Sequence, residues 1–151
     1  MKIVCDIDGT IADLSHRLHF IQPEEGGKKD WDSFFAGVSD DEPIQSVIET
    51  VDAMATGYDN TVEFWTGRSE SVRSETEVWL MQNVWAWWAF PENRVLKMRA
   101  EGDKRPDYIV KMEFIDPESP PDIIFEDRSS VVKAYRERGL RVFQVAEGES
   151  T

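Results

Sequence analysis

Short apolar runs alternate with longer amphipathic stretches along most of this chain. Five short runs are rich in β-branched and other apolar residues, and they lie at 2–7, 61–66, 95–98, 123–125 and 141–145. Runs of this length are typical of strands buried on both faces. The stretches between them carry apolar residues at helical spacing and predict helices at 11–21, 43–56, 70–83, 107–115 and 131–138.

The second of these helices has the clearest pattern. Ile44, Val47, Ile48 and Val51 follow helical spacing, and Pro43 before them suits a first helical turn. Because strands and helices alternate at least four times, we predict a mostly parallel central sheet covered by helices on both faces. The fold class is therefore α/β, and 151 residues suit a single domain spanning 1–151.

One polar insertion interrupts the alternation after the first strand. Residues 21–41 contain the segment 23–30, which is rich in glycine and charge, followed by Trp31, Phe34 and Phe35. We expect this insertion to form a small cap. Its aromatic residues are either an anchor that ties it to the body or the border of a substrate pocket.

A second unusual stretch is the tryptophan-rich segment at 85–91, which contains Trp85, Trp87, Trp88 and Phe90. Aromatic residues at this density are typical of a packed helix end or of an oligomer contact, and less often of base stacking. An oligomer contact here would make the protein a homodimer.

Composition narrows the candidate functions. The formal net charge of -13 opposes avid, sequence-independent binding of nucleic acids. A single cysteine excludes a disulfide framework and a Cys-rich zinc site, and it fits a reducing compartment. Asp6 and Asp8 interrupt any signal-peptide apolar region, and no apolar run is long enough to span a membrane. We therefore expect a cytoplasmic protein without a membrane partner.

The candidate chemistry lies where predicted strands end. Asp6 and Asp8 follow the first strand, Thr66 ends the second, and Glu126 with Asp127 follows a later one. In a parallel sheet these ends share one edge, which is where ligands bind. Two carboxylates this close repel each other unless a cation or a shared proton lies between them, so a divalent ion would suit the pair. The alternative is that both acids are solvated and belong to an ordinary Asp-Gly turn.

Lys111, on the helix before the last acids, completes a set suited to phosphoryl transfer. Carboxylates can hold Mg²⁺, a hydroxyl and a lysine can bind phosphate oxygens, and a carboxylate can attack phosphorus. Lys111 also lies four residues after Asp107, the spacing of an exposed helix pair worth about 0.3–0.5 kcal/mol. Lys104 is the alternative lysine for the site.

These residues resemble, in order, the four motifs of the haloacid dehalogenase superfamily of phosphotransferases: Asp6-Ile-Asp8-Gly-Thr10, Thr66-Gly67-Arg68, Lys111 and Glu126-Asp127. More narrowly, the chain is similar to the 3'-phosphatase domains of bacteriophage polynucleotide kinase-phosphatases and related small phage phosphatases. That closer similarity is carried by 102–111, 126–128 and 144–146. The resemblance covers nearly the whole chain and implies a Rossmann-like three-layer sandwich.

The resemblance also implies a role for each matching residue. Asp6 would be the nucleophile that forms an aspartyl-phosphate, and Asp8 would be the general acid and then the general base. Asp6, the backbone carbonyl of Asp8 and Asp127 would hold Mg²⁺, with Glu126 supporting them.

Thr66 and Lys111 would bind the transferring phosphoryl group. Four further residues match the substrate site of the phage phosphatases: Arg17, Gly67, Arg68 and Asp107.

The implied function is a Mg²⁺-dependent phosphomonoesterase acting on nucleotides or on 3'-phosphorylated ends of DNA or RNA, in a bacterial or phage-infected host cytoplasm. A 5'-nucleotidase and a non-catalytic phosphate-binding module are the alternatives. Acidity favours mononucleotides or short ends. A local basic group would favour a polymer, and its members are Lys97, Arg99, Lys104, Arg105 and Lys111. No G-x-x-x-x-G-K-[ST] loop is present, so we expect no kinase half.

Overall fold

A computed structural model describes residues 1–148 of the chain. Its strands and α-helices are β1 (Lys2–Cys5), β2 (Ala12–Asp13), α1 (Trp31–Ala36), β3 (Glu42–Pro43), α2 (Gln45–Ala55), β4 (Thr61–Ser69), α3 (Arg73–Asn83), α4 (Trp85–Trp88), β5 (Leu96–Arg99), α5 (Asp107–Val110), β6 (Ile123–Glu126), α6 (Ser129–Glu137) and β7 (Val142–Gln144). Short 3-10 helices span Ser15–Phe20, Val38–Asp40, Glu70–Val72, Pro91–Asn93 and Lys111–Phe114.

The central sheet has five parallel strands in the order β5-β4-β1-β6-β7. Ile3 pairs with Val62 on β4 and with Ile123 on β6, so β1 lies in the middle of the sheet. The carboxyl ends of all five strands therefore meet at one edge, and the prediction of a mostly parallel sheet is confirmed.

Two apolar clusters cover the two faces of this sheet. On one face, α2, α3 and α4 pack against alternate strand residues such as Ile3 and Phe64. On the other face, α6 and the 3-10 helix Lys111–Phe114 pack against Val4, Trp65 and Ile124. Successive strand residues point to opposite faces, which is why both faces need cover. The predicted three-layer α/β sandwich is confirmed.

The helix predicted at 11–21 is wrong. Ala12 and Asp13 form β2 instead and pair with Pro43 and Glu42 of β3. The Asp13 carboxylate then accepts the Ser15 N–H at 2.9 Å, which starts a 3-10 helix two residues later. This pairing also takes Pro43 into β3, so α2 begins at Gln45 rather than at Pro43.

Two further predicted elements differ in detail. Gly67 does not end its strand, because β4 continues to Ser69, which pairs with Arg99 after an irregularity between Trp65 and Ser69. The helix predicted at 107–115 is α5 followed by a 3-10 turn.

The insertion enters and leaves through the short antiparallel pair β2 and β3. Between these strands lie the 3-10 helix Ser15–Phe20, helix α1 and a second 3-10 turn. Its aromatic residues contact one another and the body: Phe34 is buried, while Trp31 is 46% exposed and packs against Phe34 and Phe35. That residues 21–41 act as a cap stays a prediction.

The tryptophan-rich segment is largely packed. Trp87 is buried against Phe64, and only Trp88, at 48%, is strongly exposed. A homodimer through this segment stays a prediction. No helix within residues 1–148 is both long enough and apolar enough to cross a membrane.

Candidate active site

The loop after β1 brings two aspartates to the centre of the sheet edge. The Asp6 N–H continues the ladder by donating to Phe125 O at 3.0 Å, and the Asp6 side chain is almost fully buried. Three successive amides, those of Thr10, Ile11 and Ala12, then donate to Ile7 O and fold the loop back. Gly9 has a φ of +80°, and a Cβ there would overlap the Asp127 carboxylate, so this turn requires glycine.

Three carboxylates lie together at this edge. Asp6, Glu126 and Asp127 each offer one oxygen, and these oxygens lie within 4.8 Å of one another. The Thr10 hydroxyl contacts two of the three residues, at 2.9 Å from Asp6 Oδ2 and 3.2 Å from Asp127 Oδ1. The structure therefore gathers the acids of two sequence motifs that are more than a hundred residues apart.

Lys111 supplies positive charge to this acid cluster. Its Nζ is 2.7 Å from Asp6 Oδ1 and 2.7 Å from Glu126 Oε2, and its side chain is 2% exposed. Burial opposes the charge, but Asp6 and Glu126 outweigh it and raise the pKa of Lys111 well above its usual value. Lys111 is thus a charged partner of the acids and does not pair with Asp107, and Lys104 is exposed.

The acid cluster suits a hard divalent cation, because its donors are carboxylate oxygens. Burial and then repulsion from Asp6 raise the pKa of Asp127 to about 7, which is the mark of negative charge that one lysine does not fully offset. Glu126 already uses both oxygens, because Oε2 binds Lys111 and Oε1 accepts the N–H groups of Asp127 and Arg128 at 3.1 Å. This arrangement fits a supporting role for Glu126 behind the other two acids.

Asp8 lies apart from the acid cluster, with its carboxylate held by two arginines. Arg17 Nη2 is 2.8 Å and Arg68 Nη2 is 2.7 Å from Asp8 Oδ1. Burial works against ionisation, but Arg68 and Arg17 outweigh it and lower the pKa of Asp8 below its usual value. Asp6 therefore shares one lysine with two other acids, whereas Asp8 is held by two arginines.

Arg17 and Arg68 are themselves fully buried, with side chains 0% exposed. Their guanidinium groups bind Asp8 and Asp41, so in this structure they hold the protein's own acids. That they contact substrate stays a prediction.

The second motif adjoins the same edge. Cys5 pairs with Phe64, so Thr66 lies two residues further along the neighbouring strand, beside the Asp6–Asp8 loop. Thr66 is fully buried, and its hydroxyl accepts the Arg68 N–H at 3.1 Å.

Gly67 and Asp107 are brought into contact. A Cβ on Gly67 would overlap the Asp107 carboxylate, so glycine allows Asp107 to approach β4. Asp107 pairs with Arg99 and, at 3.2 Å, with Arg128, which links β5, α5 and the loop after β6. Asp107 therefore braces the edge of the site.

The local basic group expected from the sequence does not form a free patch. Arg99 pairs with Asp107, Arg105 with Asp103 and Glu113, and Lys111 with the acid cluster. Lys97 donates to Phe114 O at 2.8 Å and lies over the Trp65 ring. Among the described residues, Lys104 alone of this group has no partner.

Two residues of the site were missed by sequence reasoning. Thr10 was part of the first motif, but nothing in the sequence indicated that its hydroxyl joins Asp6 to Asp127. Asp41 is 4% exposed and binds both site arginines, although it lies in the run Asp40-Asp41-Glu42, which is typical of a solvated loop.

A parallel sheet whose carboxyl edge gathers an Asp-x-Asp loop, a threonine, a buried lysine and a second acidic pair defines a phosphatase of the haloacid dehalogenase class. Residues 1–150 match the family model described as the polynucleotide kinase PNKP phosphatase domain. The chain belongs to this family and is a phosphatase.

Two solved structures resemble the chain throughout. A chain of the Pnkp1/Rnl/Hen1 complex is 26% identical with a TM-score of 0.73, over 98% of this chain and 47% of that one. A chain of the Pnkp1/Rnl/Hen1 RNA repair complex is 25% identical with a TM-score of 0.70, over 97% of this chain and 43% of that one. The chain thus spans less than half the length of either relative, and a comparison with curated proteins gives no match.

Proposed function

We propose that the protein is a Mg²⁺-dependent phosphomonoesterase that removes 3'-phosphates from nucleic-acid ends through an aspartyl-phosphate. The observation that carries the proposal is the contact of Lys111 with the buried acid cluster that contains Asp6 and Asp127, with Asp8 on the same loop as Asp6. The family match supports phosphate-ester hydrolysis, and the RNA repair complex supports a nucleic-acid end as substrate.

The residues that would hold Mg²⁺ are Asp6, Asp127 and the backbone carbonyl of Asp8, with Glu126 supporting them. Hard oxygen donors and a surplus of negative charge favour such an ion over a softer metal. When bound, the ion would neutralise the acids and the phosphate oxygens that must approach them.

In the first step, a carboxylate oxygen of Asp6 forms a bond to phosphorus while the ester P–O bond breaks. The electron pair of that bond goes to the leaving oxygen, which takes a proton from Asp8. In the second step, water attacks phosphorus and gives a proton back to Asp8, and the bond to Asp6 breaks. Phosphate leaves, and both aspartates return to their starting forms.

The environment of Asp8 suits both halves of this cycle. In the free protein Arg68 and Arg17 keep its pKa low, so it is an ionised carboxylate, the form that accepts a proton from water. An arriving phosphate dianion places like charge beside it and raises its pKa, which favours the protonated form needed in the first step.

Lys111 and Thr66 would stabilise the phosphoryl group in transit. Lys111 already lies 2.7 Å from the nucleophile, so its ammonium faces the region where negative charge develops. The Thr66 hydroxyl would donate from the neighbouring strand.

Residues 21–41 would form the cap over this site and contact the nucleotide next to the phosphate. Phe34 lies under Arg17, with the guanidinium carbon 4.3 Å from the ring centroid, and Trp31 packs edge-on against Phe34 while 46% of it stays exposed. A half-exposed tryptophan joined to Arg17 through Phe34 suits contact with a terminal base.

The decisive experiment compares four substrates at equal concentration: a 3'-phosphorylated RNA oligonucleotide, its DNA counterpart, a 3'-mononucleotide and a 5'-mononucleotide. We expect turnover of the 3'-phosphorylated ends, loss of activity in EDTA with recovery by Mg²⁺, and no turnover by Asp6→Asn. The exposed acid variant Asp116→Asn is the matched control. Preferential turnover of the 5'-mononucleotide would replace the proposal with the 5'-nucleotidase alternative, and inactivity on all four would refute it.

A further inference from the structure

Asp41 is a buried acid beside the site, outside the acid cluster. Its carboxylate is 0% exposed and accepts hydrogen bonds on both oxygens. Oδ1 accepts from Arg17 Nε at 2.8 Å and lies 2.7 Å from His16 Nε2, while Oδ2 accepts from Arg17 Nη2 at 2.7 Å and Arg68 Nη2 at 2.9 Å. Asp41 therefore ties together the two arginines that hold Asp8.

Both arginines reach Asp8 through the same oxygen. Arg17 Nη2 at 2.8 Å, Arg68 Nη2 at 2.7 Å and Arg68 Nε at 3.0 Å all donate to Oδ1. Oδ2 of Asp8 has no hydrogen-bond partner within residues 1–148, and the side chain is 22% exposed. One oxygen of Asp8 is thus fixed, and the other is available.

Electrostatics explain why a third group is needed. Two buried guanidinium groups that converge on one carboxylate oxygen repel each other, and a second carboxylate between them offsets this repulsion. Asp41 accepts from both at its Oδ2, so it allows both cations to approach Asp8. Buried ion networks are weak sources of net stability because of their desolvation cost, so the contacts with Asp8 point to a role in the site.

The backbone and neighbours of Asp41 are anchored to the body of the protein. Trp79 on α3 donates its Nε1–H to Asp41 O at 2.8 Å, and Thr76 on the same helix accepts from Arg68 Nη1 at 3.1 Å. A side chain held in this way loses little further freedom when the site works.

The geometry points to Asp41 as a positioning residue that holds Arg17 and Arg68 so that they fix Asp8 by Oδ1 and keep Oδ2 aimed for proton transfer. This inference rests on the proposed function. As the ester P–O bond breaks, its electron pair moves to the leaving oxygen, that oxygen takes the proton carried by Asp8 Oδ2, and Asp8 is left as a carboxylate.

The test exploits the chemistry of the leaving group. p-Nitrophenolate leaves without a proton, whereas the alkoxide of a 3'-phosphorylated oligonucleotide needs one. The second step, in which Asp8 takes a proton from water, is common to both substrates, so the comparison uses kcat/KM, which reports the first step alone. In Asp41→Asn we expect kcat/KM for the oligonucleotide to fall about 100-fold, the scale of a misplaced acid. kcat/KM for p-nitrophenyl phosphate should fall less than about threefold.

Asp52→Asn is the matched control, because Asp52 is a partly buried acid that accepts the Ala86 N–H at 2.9 Å on helices away from the sheet edge. It should leave both rates unchanged. If Asp41→Asn fails to fold, Arg17→Lys keeps the charge but loses the paired hydrogen bonds to Asp41, and it should show the same selective loss.

Equal losses of kcat/KM on both substrates, or no loss of kcat/KM on either, would overturn the positioning role. A separate outcome, in which the wild-type protein hydrolyses neither substrate, would overturn the proposed function and this inference together. If the wild-type protein hydrolyses both substrates and Asp6→Asn does not, the proposed function stands. A failure of the Asp41 test then counts against the positioning role alone.

Discussion

Replacing Lys111 with methionine tests whether the acid cluster depends on its lysine. Methionine keeps the length and apolar stem of the side chain and removes only the ammonium. Asp6 and Glu126, each 2.7 Å from Nζ, then lose a buried charged partner, while Asp127 remains beside them. The variant therefore leaves like charges together in a buried site.

The expected loss of stability follows from burial. All three side chains in these two ion pairs are 5% exposed or less, so solvent screens them little. Removing one partner of a buried pair costs about 3–5 kcal/mol. For a domain of this size about 2–4 °C of Tm corresponds to each kcal/mol, so Tm should fall by roughly 6–20 °C.

The assay is thermal unfolding in EDTA and again in excess Mg²⁺. Adding Mg²⁺ should raise the Tm of Lys111→Met more than that of the wild type, because the ion replaces the missing positive charge. Lys133→Met is the control: Lys133 is 79% exposed and 3.9 Å from Glu137, so its Tm should not change measurably. An unchanged Tm for Lys111→Met in EDTA would refute the argument that this lysine neutralises the cluster.

Four other predictions concern metal affinity, stability as a function of pH, a base contact and salt. Because the pKa of Asp127 is raised to about 7, Mg²⁺ must displace a proton at lower pH, so its affinity by calorimetry should fall as pH drops below about 7. The same shift makes the metal-free protein lose stability as pH rises from about 4 through 7, which thermal unfolding checks. Trp31→Ala should raise KM for a 3'-phosphorylated oligonucleotide roughly 5–150-fold and leave p-nitrophenyl phosphate unaffected, while the equally exposed Trp88→Ala changes neither. Most of the basic residues near the site are paired with acids of the protein, so we expect them to contact few phosphates of an oligonucleotide. A plot of log KM for a 3'-phosphorylated oligonucleotide against log salt concentration should therefore have a slope of about 1.4 or less, the value for two phosphates of a single strand.

Each of these has a contrary result. A pH-independent Mg²⁺ affinity would contradict Asp127 as a ligand, and stability that does not fall between about pH 4 and 7 would contradict its raised pKa. Equal effects of Trp31→Ala and Trp88→Ala would remove the proposed base contact. A salt slope near 3.5 would indicate about five phosphate contacts and hence a binding surface for a longer strand.

Much of the sheet edge could be predicted because it depends on local signals. Short apolar runs that end in Asp6, Thr66 and Glu126 indicate parallel strands with polar ends, and parallel strands share one edge. The family resemblance then selected Lys111 from two candidate lysines, and the structure puts it on Asp6.

The parts that escaped prediction depend on long-range contacts. Asp41 is one of three consecutive acids, Asp40 to Glu42. It is the one that binds Arg17 and Arg68, which come from other parts of the chain. The charged residues at 97–111 looked like a basic patch in the sequence, yet their partners, such as Asp103 and Glu113, neutralise them in three dimensions. Residue type alone does not say which charges are paired.

The antiparallel pair β2 and β3 closes the insertion at its base, with Ala12 opposite Pro43 and Asp13 opposite Glu42. Both ends of the inserted segment are therefore held at one point, and lengthening it adds only about 0.6 kcal/mol of closure entropy per doubling. A different segment could be grafted at 21–30 without disturbing the sheet, because Phe34 under Arg17 and Phe35 against the core lie outside that range. On the proposed role of residues 21–41 as a cap, substrate choice becomes separable from catalysis in redesign and in descent.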